Sequence, residues 1–315
     1  MTRVAGIDCG TNSIRLLVAD AHEGTLTDVD RRMEVVRLGA GVDRTGRIAP
    51  DALERTLAAA TGYAAICADL GVQRLRFVAT SATRDAENRA DFVEGVRAAL
   101  GVIPEVIGGH EEAELSFRGA TSTLAGRHRG PFLIVDIGGG STEIVLGSTS
   151  PVAVASMDVG CVRLTERHLT DDPPSDDQTA AASRDVAAAL DVAGGRVPFG
   201  RAATLVGLAG SVTTVTAHAL DLEEYDPRLI DGAVLPVDRV LDSCRALLTM
   251  SRSRRARLPF MHPGRVDVIG AGALVWSDVI TRVRAEVARA GGRLKSVVTS
   301  EHDILDGITL SAAER

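Results

Sequence analysis

Two carboxylates occupy equivalent places in the two halves of this sequence. Asp8 ends the apolar run VAGID and opens the small polar patch Cys9 to Ser13; Asp136 ends FLIVD and opens IGGGS. Laid over one another, DCGTNSIRLLV covers DIGGGSTEIVL, so Gly10 falls on Gly138 and Ser13 on Ser141. One such turn is an ordinary hairpin. Two, one in each half, indicate a repeated lobe. A turn of Gly, Ser, Thr and Asn leaves backbone N–H groups unobstructed, and two such turns facing each other would cage an oxyanion. The chemistry this suits is phosphate binding. Thr11, Asn12, Ser13 and Arg15 would form one clamp, and Gly138, Gly139, Gly140, Ser141 and Thr142 the other.

Charges around these turns extend the reading. Asp136 and Glu143 flank the GGGST turn and are candidate ligands for a divalent cation, with Asp8 contributing through water. Asp136 could instead cap its turn. Glu143, set among apolar strand residues, calls for a partner. Glu112 lies near the start of a helix, on one face with Leu115, Ser116 and Gly119. Taken alone it reads more readily as a surface glutamate favoured by the helix dipole. Arg84 follows the strand FVATSAT and either reaches phosphate from its loop or pairs with Asp85 or Glu87. Arg163 is a weaker candidate of the same kind. Gly210 and Ser211 open a helix after a buried strand, a place suited to an anion or to close packing. His302-Asp303 reads as structural. The stretch SRSRRAR at 251–257 reads as a solvated helix face rather than an anion track.

The elements that must position these residues alternate strand and helix, which predicts α/β layers. RVAGIDC, SIRLLVAD and DRRMEVVRLG read as three successive strands and Pro50 to Leu70 as a helix, opened by Pro50 and closed by Gly71. LRFVAT is a short buried strand. Glu87 to Leu100 and Glu111 to Leu124 are helices, the second led in by a flexible Gly108-Gly109. GRHRGP at 126–131 marks a boundary before FLIVDIG. TLVGLAGSV and VDVIGAGALV each read as strand, glycine turn and helix start. The 315 residues suggest two lobes, 1–125 and 126–300.

Bulk properties bound the function. A net charge of −7 argues against a general nucleic-acid binder. Lys295 is the only lysine, a bias that codon usage explains as well as phosphate binding does. Cys9, Cys67, Cys161 and Cys244 lie far apart, which fits buried reduced thiols rather than disulfides or a zinc site. No signal-like segment or membrane-length apolar run is present, so a cytoplasmic protein is expected.

The paired turns resemble those of the sugar kinase/Hsp70/actin ATPase superfamily. Within it, the chain resembles the exopolyphosphatase/guanosine pentaphosphate phosphohydrolase (Ppx/GppA) family over nearly its whole length. The motifs are DCGTNSIRLL, TSATRDAEN, GGHEEAELSFRGA, DIGGGSTEIV, MDVGCVRLTE, GLAGSVTT, HPGRVDVIGAG and SEHDILDGI. The resemblance implies two ribonuclease H-like (actin-like ATPase) lobes with an active-site cleft between them. It implies that residues 301–315 cross back onto the first lobe, that Glu112 is the catalytic base, and that Mg²⁺ or another divalent cation is required. It implies a homodimer acting on inorganic polyphosphate or, with the same chemistry, on guanosine pentaphosphate in the stringent response, without nucleic acid or membrane partners. A kinase or actin-like nucleotide switch, and a non-catalytic sensor, are the rival classes. Longer relatives carry a further C-terminal region, so this chain is expected to favour short polyphosphates.

Overall fold

The computed structural model describes residues 2–124 and 126–315. Contacts divide the chain into two compact units, Met1–Ser122 with Asp303–Arg315, and Thr123–His302. The lobe boundary expected after residue 125 falls on Ala125, outside the described residues. Each unit is a sheet flanked by helices.

The first unit holds β1 (Thr2–Cys9), β2 (Ser13–His22), β3 (Thr25–Val35), β4 (Arg74–Ala79) and β5 (Glu105–Val106). Their order across the sheet is β3-β2-β1-β4-β5. The first three strands form an antiparallel meander, and β4 and β5 join parallel to β1. Helices Pro50–Asp69 and Arg89–Leu100 cover one face over a core that includes Ile7, Ile14, Leu16, Tyr63, Phe77 and Phe92. Helix Ile304–Ala313 covers the other, packing on β1, β2 and β4. That approach needs Gly6, where a Cβ would lie 2.3 Å from Thr309 Oγ1.

Two expected boundaries move. The helix read from Glu87 begins at Arg89, because the Asn88 amide pairs with the backbone of Ile48 in both directions. The pair read as a flexible lead is half helical: helix Gly109–Leu124 already includes Gly109.

The second unit holds β6 (Phe132–Ile137), β7 (Thr142–Gly147), β8 (Pro151–Met157), β9 (Thr204–Leu208), β10 (Val234–Pro236) and β11 (Ser296–Thr299). The order is β10-β11-β9-β6-β7-β8. Apart from the edge strand β10, this repeats the first sheet: an antiparallel meander β6-β7-β8, then parallel β9 and β11. Helices Asp176–Gly194, Val237–Thr249 and Ile269–Arg289 close a core around Trp276. The strand expected at VDVIGAGALV does not form. Ile269–Arg289 is one helix, and the glycines read as a turn lie in its first turn. They are packing glycines. A Cβ on Gly272 would lie 2.2 Å from Ser211 Oγ, and one on Gly270 would lie 2.7 Å from Arg255 Nη2. No helix among the described residues is long and apolar enough to cross a membrane.

Candidate active-site residues

The two turns matched in sequence have the same local geometry. Gly10 N–H donates to Ser13 O at 3.0 Å, and Gly138 N–H donates to Ser141 O at 3.0 Å. In each hairpin the aspartate faces the residue seven positions on: Asp8 pairs in register with Arg15, and Asp136 with Glu143. The same address thus carries a guanidinium in one unit and a second carboxylate in the other.

In the first unit, the Arg15 guanidinium lies between two buried carboxylates. Its Nε and Nη2 donate to Asp8 Oδ2 at 3.0 and 2.6 Å, and Nη1 to Asp303 Oδ2 at 2.5 Å. Burial pushes the Asp8 carboxyl up, and Arg15 pulls against it. The turn itself is held by its carbonyls: Thr11 O accepts from Gly39 N–H, Asn12 O from Val36 and Arg37, and Ser13 O from Gly10. Asp303, expected to be structural, has a role beyond Arg15. It caps helix Ile304–Ala313 in a capping box with Asp306.

Glu112 is buried in the first full turn of helix Gly109–Leu124. Arg84 meets it: Nη1 donates to Glu112 Oε2 and to Ile107 O, each at 3.0 Å. Neither of the surface partners weighed for Arg84 from the sequence is the one bound here. The glycine on the Glu112 face serves close approach, because a Cβ on Gly119 would lie 1.8 Å from Asp303 O.

In the second unit every carbonyl from Gly138 to Ser141 is engaged. Gly138 O accepts from Cys161 N–H, Gly139 O from Val162 and Arg163 N–H, and Ser141 O from Gly138 N–H. Gly140 O accepts from Arg163 Nε at 2.7 Å. With the lone pairs turned to the protein, an anion approaching the turn meets donors rather than carbonyl oxygens. Gly160 makes this possible, since a Cβ there would lie 2.4 Å from Gly139 O. Gly160 and the placement of Arg163 under the turn were not read from the sequence, although both lie in the MDVGCVRLTE motif.

Asp136 and Glu143 are both buried side by side on neighbouring strands. Like charges directly opposite on one face of a sheet are unfavourable unless something intervenes. Mg²⁺ is commonly held by one or two carboxylates with water and substrate oxygens completing the shell, and this donor pair fits that pattern. No group of three or more His, Cys, Asp or Glu among the described residues converges to hold an ion by protein ligands alone.

Gly210 and Ser211 lie in the first turn of helix Ala209–Leu220, which begins with Ala209 in the left-handed region at φ 67°. Arg265, from the HPGRVDVIGAG motif, donates from Nη1 to Gly210 O at 3.2 Å and brings a cation there that sequence reading missed. The basic stretch at 251–257 is not uniformly solvated. Arg255 is buried and donates to Leu247 O, Leu248 O and Val266 O, capping the end of helix Val237–Thr249. All four cysteines are buried and free, and burial raises the pKa of each thiol, which disfavours the thiolate a nucleophile needs.

Comparison with known proteins finds relatives of the chain. Residues 17–300 match the Ppx/GppA phosphatase family. Exopolyphosphatase 2 of Mycobacterium tuberculosis is 50% identical over 99% of this chain and 99% of its own length. An exopolyphosphatase-like protein of known structure superposes with a TM-score of 0.96 at 47% identity, covering 100% of this chain and 99% of that one. The Aquifex aeolicus Ppx/GppA family member superposes at 0.78 with 27% identity, covering 99% and 98%. A family match over residues 17–300, together with 50% identity to a relative over nearly the full length of both chains, shows that the chain belongs to the Ppx/GppA phosphatase family.

Proposed function

We propose that this chain is an exopolyphosphatase that releases terminal orthophosphate from inorganic polyphosphate. The observation that carries the reading is the second turn: four residues, Gly138 to Ser141, whose carbonyls are turned to the protein, beside the buried pair Asp136 and Glu143. The likeness to Exopolyphosphatase 2 supports the substrate class.

In the reaction, Glu112 takes a proton from a water as its oxygen bonds to the terminal phosphorus. The bridging P–O bond breaks, the electron pair leaves with the shortened chain, and orthophosphate is freed. Arg84 holds the Glu112 carboxylate in place. Backbone N–H groups of Gly139 and Gly140, with the Ser141 hydroxyl, take up charge on the transferred group. The Thr142 hydroxyl, expected from the sequence to join them, is buried and donates to Val159 O at 2.7 Å, so it braces the turn instead. Thr11, Asn12 and Ser13 of the first turn bind further phosphate. Mg²⁺ held by Asp136 and Glu143 would neutralise phosphate oxygens. Gly210 and Ser211, with Arg265, bind a more distant phosphate of the same substrate. Four buried thiols accord with a reducing cytoplasm.

The test is orthophosphate release by the purified protein on tripolyphosphate, long-chain polyphosphate, guanosine pentaphosphate and ATP, each with Mg²⁺ or with excess chelator. Metal-dependent release from polyphosphate, faster than from the other two, is expected. Faster release from guanosine pentaphosphate would move the assignment to that substrate. ATP turnover dependent on an added sugar would move it to a kinase.

A further inference from the structure

Three side chains line up across the second sheet. Asp136 on β6 faces Glu143 on β7, and Glu143 faces Ser156 on β8. Their intervening neighbours Val135, Ile137, Ile144, Ala155 and Met157 belong to the core on the opposite face. Because side chains alternate along a strand, the polar three share one face.

Their exposure runs from inside to outside. Asp136 and Glu143 are 6% and 2% exposed, whereas Ser156 lies on the edge strand, open to solvent. The Ser156 hydroxyl nevertheless donates to Glu143 Oε1 at 2.8 Å. A surface hydroxyl has water as an alternative partner and needs no protein acceptor. A buried carboxylate beside a second carboxylate gains more from the bond, since a fixed donor both satisfies one oxygen and sets the plane of the group.

We propose that Ser156 is a positioning residue for the cation site: it holds the Glu143 carboxylate in the orientation that, together with Asp136, binds the divalent ion. The inference rests on the reading that Asp136 and Glu143 hold that ion. Hydrogen bonds behind a metal ligand fix its orientation, and their loss typically costs about 10–100-fold in metal affinity.

The experiment measures Mn²⁺ binding to the whole protein, without substrate, by electron paramagnetic resonance. The variants are Ser156→Ala, Ser156→Thr and Glu143→Gln. Glu143→Gln should abolish the site. Ser156→Ala should weaken Mn²⁺ by about 10–100-fold, and Ser156→Thr, which keeps the hydroxyl, should restore binding to near wild type. In steady-state assays the metal concentration for half-maximal rate should rise in Ser156→Ala by the same factor, with kcat at saturating metal little changed. A purely structural role would lower kcat or the melting temperature and leave the metal titration unmoved. If Glu143→Gln loses Mn²⁺ while Ser156→Ala binds it as wild type does, Ser156 positions nothing. If Glu143→Gln binds as wild type, or the wild-type protein binds no Mn²⁺, the cation reading fails and takes this inference with it.

Discussion

Replacing Gly119 with alanine tests how Glu112 is placed. Helix Gly109–Leu124 crosses helix Ile304–Ala313 at backbone distance, and each helix contributes a glycine. A Cβ on Gly119 would lie 1.8 Å from Asp303 O, and one on Gly307 would lie 2.0 Å from Leu115 O. An ordinary carbon contact needs about 3.5 Å, so the helices must part by more than about 1.5 Å at the crossing. No side chain can yield, because the atom struck is a backbone carbonyl. Overpacking costs about 1–3 kcal/mol, and Gly119→Ala should sit at the upper end. At about 2–4 °C per kcal/mol, the melting temperature should fall by about 6–12 °C. Glu112 lies two turns away on the same rigid helix, about 10 Å along its axis. A shift approaching 1 Å there should lower kcat/KM on tripolyphosphate by about 100-fold, measured well below the melting transition. Gly62 is the control: it is exposed in helix Pro50–Asp69 with open space around it, and alanine there should stabilise by about 0.5–1 kcal/mol. A Gly119→Ala protein with wild-type melting and wild-type kcat/KM would refute the described crossing. One that melts early but turns over normally would separate Glu112 from the reaction.

Glu112→Gln should lower turnover by about 10²–10⁴-fold while leaving substrate affinity near wild type; a variant within a few-fold of wild type in a phosphate-release assay removes it as base. Asp303→Asn keeps a good helix cap but gives up the charge that meets Arg15, whereas Asp303→Ala loses both. Denaturant unfolding should therefore find the alanine variant less stable by about 1 kcal/mol more, and equal losses would deny the cap. Burial pushes the Asp278 carboxyl up to about 6, and its Oδ2 has no hydrogen-bond partner. The folded state thus holds its proton more tightly than the unfolded chain, so this group's contribution is present at low pH and lost as pH rises from about 4 to 6. Asp278→Asn should stabilise by about 1–3 kcal/mol at pH 7.5 and change little at pH 4; urea melts at both values check it, and an equal effect at both would refute it.

The parts of the fold legible in the sequence are those carried by local patterns. The hairpin repeat is visible because Asp8 and Asp136 each end an apolar run and precede small turn residues, and strand pairing then follows from a short loop. What the sequence leaves dark depends on tertiary register. Ser156 has no local mark of importance; its role arises only when β8 pairs with β7. Arg84 and Glu112 meet because the short helix Ser81–Asp85 after β4, where the sequence suggested strand and loop, turns Arg84 towards a later helix. The glycines of VDVIGAG carry the same letters as a turn, and only the neighbours Ser211 and Arg255 reveal them as packing glycines. Arg255 is hidden for a similar reason: within a run of arginines, nothing local tells the one that caps a helix from those facing water. Family resemblance raised Glu112 above its neighbours Glu111 and Glu114, which composition could not do.

The discontinuity of the first unit bears on how the protein is made. Its sheet is complete once residue 106 has been synthesised, yet helix Ile304–Ala313, which covers one face, follows only after the whole of Thr123–His302. At about 5–20 residues per second, the gap is on the order of ten seconds or more. During it, Leu17, Ala19, Val78, Ile107 and Leu115 lack the Ile304, Leu305 and Ile308 side chains that bury them. The emerging chain therefore carries a sheet with one apolar face uncovered, and the second unit can fold before the first is complete. A stop codon introduced at Asp303 would leave that surface bare permanently, so the last helix to be synthesised is the one on which burial of the first sheet depends.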